Sequence, residues 1–188
     1  TIVSRPTEPA RHATKRWLGK GVTIHSEHPF TPRDGAKDAL RQLRGRLVAP
    51  VTIVATGAGR QRAGLTVSSL QVVDGDPGRF VAMIDPDSDL GEAIEPNSSL
   101  VVSLLEAGDE FLAEAFAGLA PAPGGVFTLG DWHDTDWGPA LAGRSWFAGR
   151  VDEISTVGWS LSVLGTIVHV EITGPGGLSH LRGRYFQA

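Results

Sequence analysis

Two rhythms of apolar residues run along this chain, and each predicts its own kind of element. Between residues 37 and 47, Ala39, Leu40, Leu43 and Leu47 recur at helical spacing, with Asp34 placed to cap the helix and Gly45 weakening its end. From Val48 to Thr56 the apolar positions turn β-branched at Val48, Val51, Ile53 and Val54, which predicts a strand. Gly57-Ala58-Gly59 predicts a turn. Leu65 to Val73 alternates at Leu65, Val67, Ser69, Gln71 and Val73, the period-two pattern of a second strand. Asp74-Gly75-Asp76-Pro77-Gly78 has turn composition, and Phe80 to Ile84 reads as a third strand.

Helical spacing returns at Asp89 to Glu95, where Leu90, Ala93 and Ile94 share a face. Leu100 to Leu105 is a fourth strand. Asp109 to Ala117 predicts an amphipathic helix carrying Phe111, Leu112, Ala115 and Phe116, with Gly118 placed to stop it. Leu119 to Pro139, rich in Pro, Gly, Asp and Trp, predicts a long loop of the sort tied to function or to an interface. Three strands close the pattern, at Ser145–Ser155, Leu161–Thr173 and Ser179–Tyr185. Many antiparallel strands with little helix predict a mainly β fold, a small barrel with helical trim. Ahead of it, prolines at 6, 9 and 29 break residues 1–31, which Arg11, Lys15, Arg16 and Lys20 make basic. That stretch predicts an N-terminal arm before a domain over 32–188, packed on the domain or on a partner subunit.

Composition sharpens the β reading. Glycine makes up 24 of 188 residues, well above the ~7% average, so tight turns are favoured over long helices. A net charge of −4 argues against a general nucleic-acid binder. The lack of cysteine removes disulfides, thiolate nucleophiles, iron–sulfur clusters and cysteine-bound zinc. No stretch approaches the ~20 apolar residues of a membrane span, and the first ten residues are polar, so the expectation is a cytoplasmic protein without a membrane partner.

Candidate chemistry centres on Ala63-Gly64-Leu65-Thr66-Val67-Ser68-Ser69. Three hydroxyls crowd four positions, and hydroxyls with free backbone N–H groups make a neutral anion cradle. Alone, the stretch also reads as a strand whose hydroxyls face water. Its neighbours change the weighing. Pro50-Val51-Thr52-Ile53-Val54-Ala55-Thr56 precedes it, and Asp85-Pro86-Asp87-Ser88-Asp89-Leu90-Gly91-Glu92-Ala93-Ile94 follows it. Then come Ser103-Leu104-Leu105, Leu112-Ala113-Glu114-Ala115-Phe116-Ala117-Gly118 and Leu181-Arg182-Gly183-Arg184-Tyr185. In order and spacing, from Leu40 to Tyr185, this series resembles the flavin-reductase-like family, the FMN-binding split barrels that include reductase components of two-component monooxygenases.

The resemblance implies an antiparallel, Greek-key split β-barrel that forms a homodimer, with flavin near the subunit interface. It implies that Pro50, Val51 and Thr52, with Thr66 and Val67, run beside the isoalloxazine and ribityl chain. Ser68, Ser69 and Ser88 would reach the phosphate, Asp85 would belong to the same segment as Ser88, and Arg184 and Tyr185 would lie close by. The implied activity is hydride transfer from NAD(P)H to FMN, with FAD as the other flavin, for a partner monooxygenase. One departure stands out. Family reductases often carry Gly-Asp-His on a late strand, with the His at the nicotinamide side. Here Gly158-Trp159-Ser160-Leu161 occupies that stretch, with Gly165 in step. Trp159 either stacks on a ring or fills the interface. The departure keeps open a non-catalytic flavin- or haem-binding module for cofactor storage or sensing, and a purely structural dimer.

Other polar clusters have plainer readings. Asp131-Trp132-His133-Asp134-Thr135-Asp136-Trp137 offers metal-type ligands beside apolar Trp, so a lid or dimer contact is favoured over a metal site. His25 and His28 read as arm residues. His169 shares a strand face with Ile167 and Glu171, which predicts a solvent-facing or Glu171-paired imidazole. Arg60 and Arg62 flank the hydroxyl cluster and either approach the phosphate or form a solvated turn.

Overall fold

The computed structural model describes residues 39–187 except Asn97, and only the backbone of Arg41. The expected arm, His25, His28 and the Asp34 cap lie outside the described residues. The helix expected over 37–46 appears as α1, Ala39–Arg44.

The first expected strand is broken in two, β1 Ala49–Pro50 and β2 Thr52–Thr56. Pro50 has no N–H to carry a ladder onward. At the break, the Val51 N–H donates to the Leu178 carbonyl at 2.9 Å, and its carbonyl accepts from the Leu105 N–H at 3.1 Å. The second expected strand is also divided, into β3 Ala63–Val67 and β4 Leu70–Val73, with Ser68 and Ser69 between them. Then follow β5 Arg79–Ile84, α2 Asp89–Ala93, β6 Ser99–Leu104 and α3 Glu110–Phe116. The expected long loop is partly regular: it holds a hairpin of β7 Trp132–Thr135 and β8 Gly138–Leu141. Two long strands, β9 Trp146–Val157 and β10 Ser160–Glu171, precede a final hairpin, β11 Leu178–Leu181 and β12 Arg184–Gln187.

Seven strands form one antiparallel sheet in the order β3-β2-β6-β9-β10-β5-β4. Its two edges, β3 and β4, are consecutive in the chain. In a flat sheet six strand spacings would separate those edges by about 29 Å. The three peptide steps from Val67 to Leu70 reach only about 10 Å. The sheet therefore curls until its edges approach at the Ser68–Ser69 corner, giving a split barrel. A smaller sheet, β1-β11-β12, continues the wall past Val51.

Alternation sorts the side chains of β2 into two cores. Val54 faces the barrel interior with Val67, Phe80, Ile84, Val102 and Val163, and α2 adds Leu90 and Ile94 to that core. Ile53 faces outward, where α3 covers it with Leu112 and Phe116. Phe111, expected on the buried face of α3, is exposed, and Ala113 packs in its stead. Phe127 and Trp132 extend this outer cluster, each within 5.3 Å of the Phe116 ring centroid. Inside the barrel, the Phe80 ring lies flat against two strands where they lack side chains. A Cβ on either Gly149 or Gly165 would land on that ring.

An ion-pair latch ties three distant segments. Arg144 donates to both carboxylate oxygens of Asp109, at 2.7 and 2.9 Å. Asp109 also accepts the Glu106 N–H at 2.9 Å, and Glu106 accepts the Gly176 N–H at 3.1 Å. Burial lowers the Arg144 pKa less than the Asp109 hydrogen bond raises it, so the guanidinium is held charged. Arg144→Ala should cost about 2 kcal/mol, since it strands a largely buried carboxylate, and urea denaturation measures it. Gly165→Ala should cost about 1–3 kcal/mol by displacing both Phe80 and the Arg150 carbonyl, with a matching drop in the urea midpoint.

Candidate functional site

The barrel corner positions the hydroxyl cluster. Ser68 and Ser69 are half-buried, and the Ser69 carbonyl accepts the Met83 N–H at 2.9 Å, which pins the corner to β5. Neither serine hydroxyl has a hydrogen-bond partner among the described residues. The other hydroxyls are engaged. Thr52 is buried and donates to the Val67 carbonyl at 2.7 Å, while Thr66 donates to the Ala113 carbonyl on α3 at 2.7 Å. Val67 points its side chain into the barrel and Val51 into the outer cluster, leaving only their backbones for a ligand. A phosphate only accepts hydrogen bonds, so Ser68 and Ser69 are the two side chains of this cluster with a donor to spare.

Asp85 and Ser88 form a tight turn where β5 ends. Asp85 Oδ1 accepts the Asp87 N–H at 3.0 Å. Ser88 Oγ donates to the Asp85 carbonyl at 2.6 Å and accepts the Gly91 N–H at 3.0 Å, capping α2. Gly91 packs so close to Asp85 and Pro86 backbone that a Cβ would collide. The Ser88 proton is thus committed, and contact with an acceptor requires it to turn away from Asp85.

Register brings most of the candidates to one end of the barrel. Thr52 pairs with Val67, so Val51 stands level with Ser68. Leu161 pairs with Ile84, so Ser160 stands beside Asp85. Trp159 sits at the β9–β10 tip with Gly158 at φ 61°, and is 73% exposed. Pro50 joins this end through β1. Arg184 and Tyr185 are set apart on the small sheet, where β11 lies between β1 and β12. Tyr185 meets His180 edge-on with centroids 5.3 Å apart, while Arg184 is exposed.

Burial, then Glu114 and Glu110, raise the Tyr185 pKa above its ordinary 10.0. The folded protein therefore keeps this proton where the unfolded chain loses it, and stability falls as pH rises through that window. Tyr185→Phe should flatten the loss of stability between about pH 9 and pH 11, read as urea midpoints at the two values.

Arg62 lies away from the Ser68–Ser69 corner. It pairs with Asp134 at 2.7 Å and lies 5.8 Å from the Phe127 centroid, at the far end of β3 from Ser68. Five residues of strand lie between them, so six steps of ~3.3 Å separate the two, roughly 20 Å. His169 stacks on Trp137, centroids 5.1 Å apart and planes at 17°, with Trp146 at 4.9 Å. A register shift between Ile167 and His169 breaks the face-sharing that the alternation implied. Among the described residues no three His, Asp or Glu side chains gather as a metal site, and no helix is long and apolar enough to cross a membrane.

The flavin reductase like domain family matches residues 44–188, and the chain belongs to that family. The FMN reductase (NADH) RutF of Ancylobacter novellus is 34% identical over 116 residues, which cover 61% of this chain and 61% of that protein. The chain thus spans less than two thirds of the RutF relative. The 4-hydroxyphenylacetate 3-monooxygenase reductase component of Salmonella typhimurium is 27% identical over 156 residues, covering 77% of this chain and 88% of that one. In fold, the chain is similar to the NADH:FAD oxidoreductase SgcE6 of Streptomyces globisporus C-1027, with a TM-score of 0.70 and 24% identity over 79% of this chain and 90% of that one. SgcE6 has also been solved in complex with NAD and FAD fragments.

Proposed function

We propose that this chain is an NADH- or NADPH-dependent flavin reductase that binds FMN at the barrel corner and supplies reduced flavin to a partner oxygenase. The observation that carries the reading is the pair of unspent hydroxyls, Ser68 and Ser69, within the stretch that the family matches. RutF, named an FMN reductase (NADH), and the monooxygenase reductase component support the donor and the partner.

The chain's own residues bind and orient. Ser68 and Ser69 donate to the phosphate. Ser88 shapes the adjoining Asp85–Ser88 turn and joins the phosphate once its proton leaves Asp85. Pro50, Val51 and Thr52 wall the flavin on the β2 side, and Thr66 and Val67 on the β3 side. β3 is an edge strand, so its outward N–H and C=O groups are free of the ladder and suit the polar rim of a flat heterocycle. Bound FMN supplies the hydride-accepting chemistry. Trp159 and Ser160 flank the side where the donor enters, and Arg184 and Tyr185 border the site on the small sheet. A homodimer belongs to the same reading, since exposed Val72, Val73, Val168 and Val170 line one groove of about 420 Å³ that a second copy would cover.

Ser68→Ala with Ser69→Ala should weaken FMN binding at least tenfold, as each hydrogen bond to a charged group contributes about 1.5–3 kcal/mol. Quenching of FMN fluorescence measures it, and an unchanged affinity would put the phosphate elsewhere. A second reading, a flavin- or haem-binding module without turnover, is favoured by Trp159 and Ser160 standing where family reductases carry Asp and His. Oxidation of NADH and NADPH with added FMN separates the two, because a yellow protein inert to both donors supports the module. On the reductase reading, Ser160→His should change the rate or the donor preference in the same assay.

A further inference from the structure

The described tryptophans are used in two ways. Trp132, Trp137 and Trp146 each pack against other rings, and Trp132 Nε1 donates to the Leu129 carbonyl at 2.7 Å. Trp159 has neither a ring neighbour nor a hydrogen-bond partner among the described residues, and it is 73% exposed. An indole carries a large flat apolar surface, and here that surface is left to water. Its place is nonetheless fixed. β9 and β10 pair to their last residues, Val157 with Ser160, so two residues make the turn. Gly158, at φ 61°, supplies the positive φ that such a turn needs at its first position. Trp159 then follows with ordinary backbone geometry, and a turn this short holds its Cα to the ladder.

Register sets how far the indole stands from the two unspent hydroxyls. Leu70 pairs with Ala82, and the Ser69 carbonyl accepts the Met83 N–H, so Ser68 stands level with Ile84. Ile84 in turn pairs with Leu161. Ser68 and Leu161 are thus two strand spacings apart, about 10 Å. Trp159 lies two residues beyond Leu161, about 7 Å further along the strand, which puts its Cα about 12 Å from Ser68. A five-carbon ribityl chain and the near half of a three-ring system span a distance of that order. A flavin anchored by its phosphate at Ser68 and Ser69 therefore brings its ring within reach of the indole. Oxidised isoalloxazine is electron-poor and indole electron-rich, so the two stack face to face.

We infer that the Trp159 indole stacks on the isoalloxazine ring of bound FMN, in the place that a nicotinamide ring must take, so that the donor enters by displacing it. The inference rests on the flavin reading of the Ser68–Ser69 corner and adds a gate to it. Hydride passes between rings that lie face to face, and one face holds one ring. A single stacking free energy then acts twice with opposite sign. It tightens FMN, and it weakens the donor by the same factor, because the donor meets an open flavin face only in the minor, unstacked state.

Two measurements on the full chain test this: FMN affinity by flavin fluorescence, and steady-state oxidation of NADH and NADPH at saturating FMN. Trp159→Ala is expected to weaken FMN binding about tenfold, the scale on which stacking of a heterocycle on an aromatic side chain is lost. The same variant is expected to lower the donor KM by a similar factor, with kcat kept or raised. Trp159→Phe keeps a ring and should retain most of both properties. The side chain is exposed, so flavin-free Trp159→Ala should melt with the unaltered chain, which excludes unfolding as the cause. Unchanged FMN affinity in Trp159→Ala, or a donor KM that stays or rises, would overturn the proposal. So would a changed sedimentation coefficient of the flavin-free variant, which would make the indole an anchor between subunits. If the unaltered protein binds FMN yet is inert to both donors, Trp159→Ala is expected to gain turnover, and an equally inert variant overturns the gate. FMN binding that responds to Ser68→Ala with Ser69→Ala but not to Trp159→Ala sinks this inference alone. No FMN binding by the unaltered chain sinks the flavin reading and the gate with it.

Discussion

The short reach of the Ser68–Ser69 link is the constraint on which the rest depends. Two residues join strands that the ladder order puts at opposite edges of seven, so the sheet has to roll up. Rolling encloses Val54, Val67 and Phe80 and leaves one end for Leu90 and Ile94 to fill. The same link steps out of the ladder between β3 and β4. Its side chains are therefore released from the in-and-out alternation of a strand, and its two hydroxyls end without protein partners. Closure of the barrel and creation of the candidate cradle are one event.

β2 shows how the two layers depend on each other. All five of its residues are buried, because the barrel takes one face and α3 takes the other. The α3 layer is held at its start by Asp109, and Arg144 and Glu106 carry that hold to the β8–β9 turn and to Gly176. It is held along its length by the Thr66 hydroxyl on the Ala113 carbonyl. Thr66 thus fastens the helix behind the strand that carries the candidate site.

Much of this was legible along the chain. β-branched runs and period-two alternation marked the strands, and the turn composition at 74–78 marked the β4–β5 hairpin. Breaks were harder to see. Val51 and the Ser68–Ser69 corner lie inside stretches of good strand pattern; Pro50 interrupts one ladder, and the backbone partners of Val51 and Ser69, namely Leu178, Leu105 and Met83, lie on other parts of the chain. The β7–β8 hairpin hides in Asp-, Pro- and Trp-rich composition that signals loop, since Pro139 is buried by its surroundings rather than by its own preference. Hydroxyl counting picked out the candidate cradle but not its division of labour. Which hydroxyls are spent on carbonyls, as at Thr52, Thr66 and Ser88, depends on contacts across strands. Arg62 is a case in point, drawn to Asp134 from a hairpin that had no signal of its own.

Phe80, Gly149 and Gly165 hold one volume between three strands. No one of them sets the size of its own space, so the history of the family is expected to show them changing together. A smaller side chain at 80 would license an alanine at 149, and a return to phenylalanine would forbid it, whereas at 165 the Arg150 carbonyl would still stand in the way. Such a trio records which strands have kept their register while the surface around them diverged.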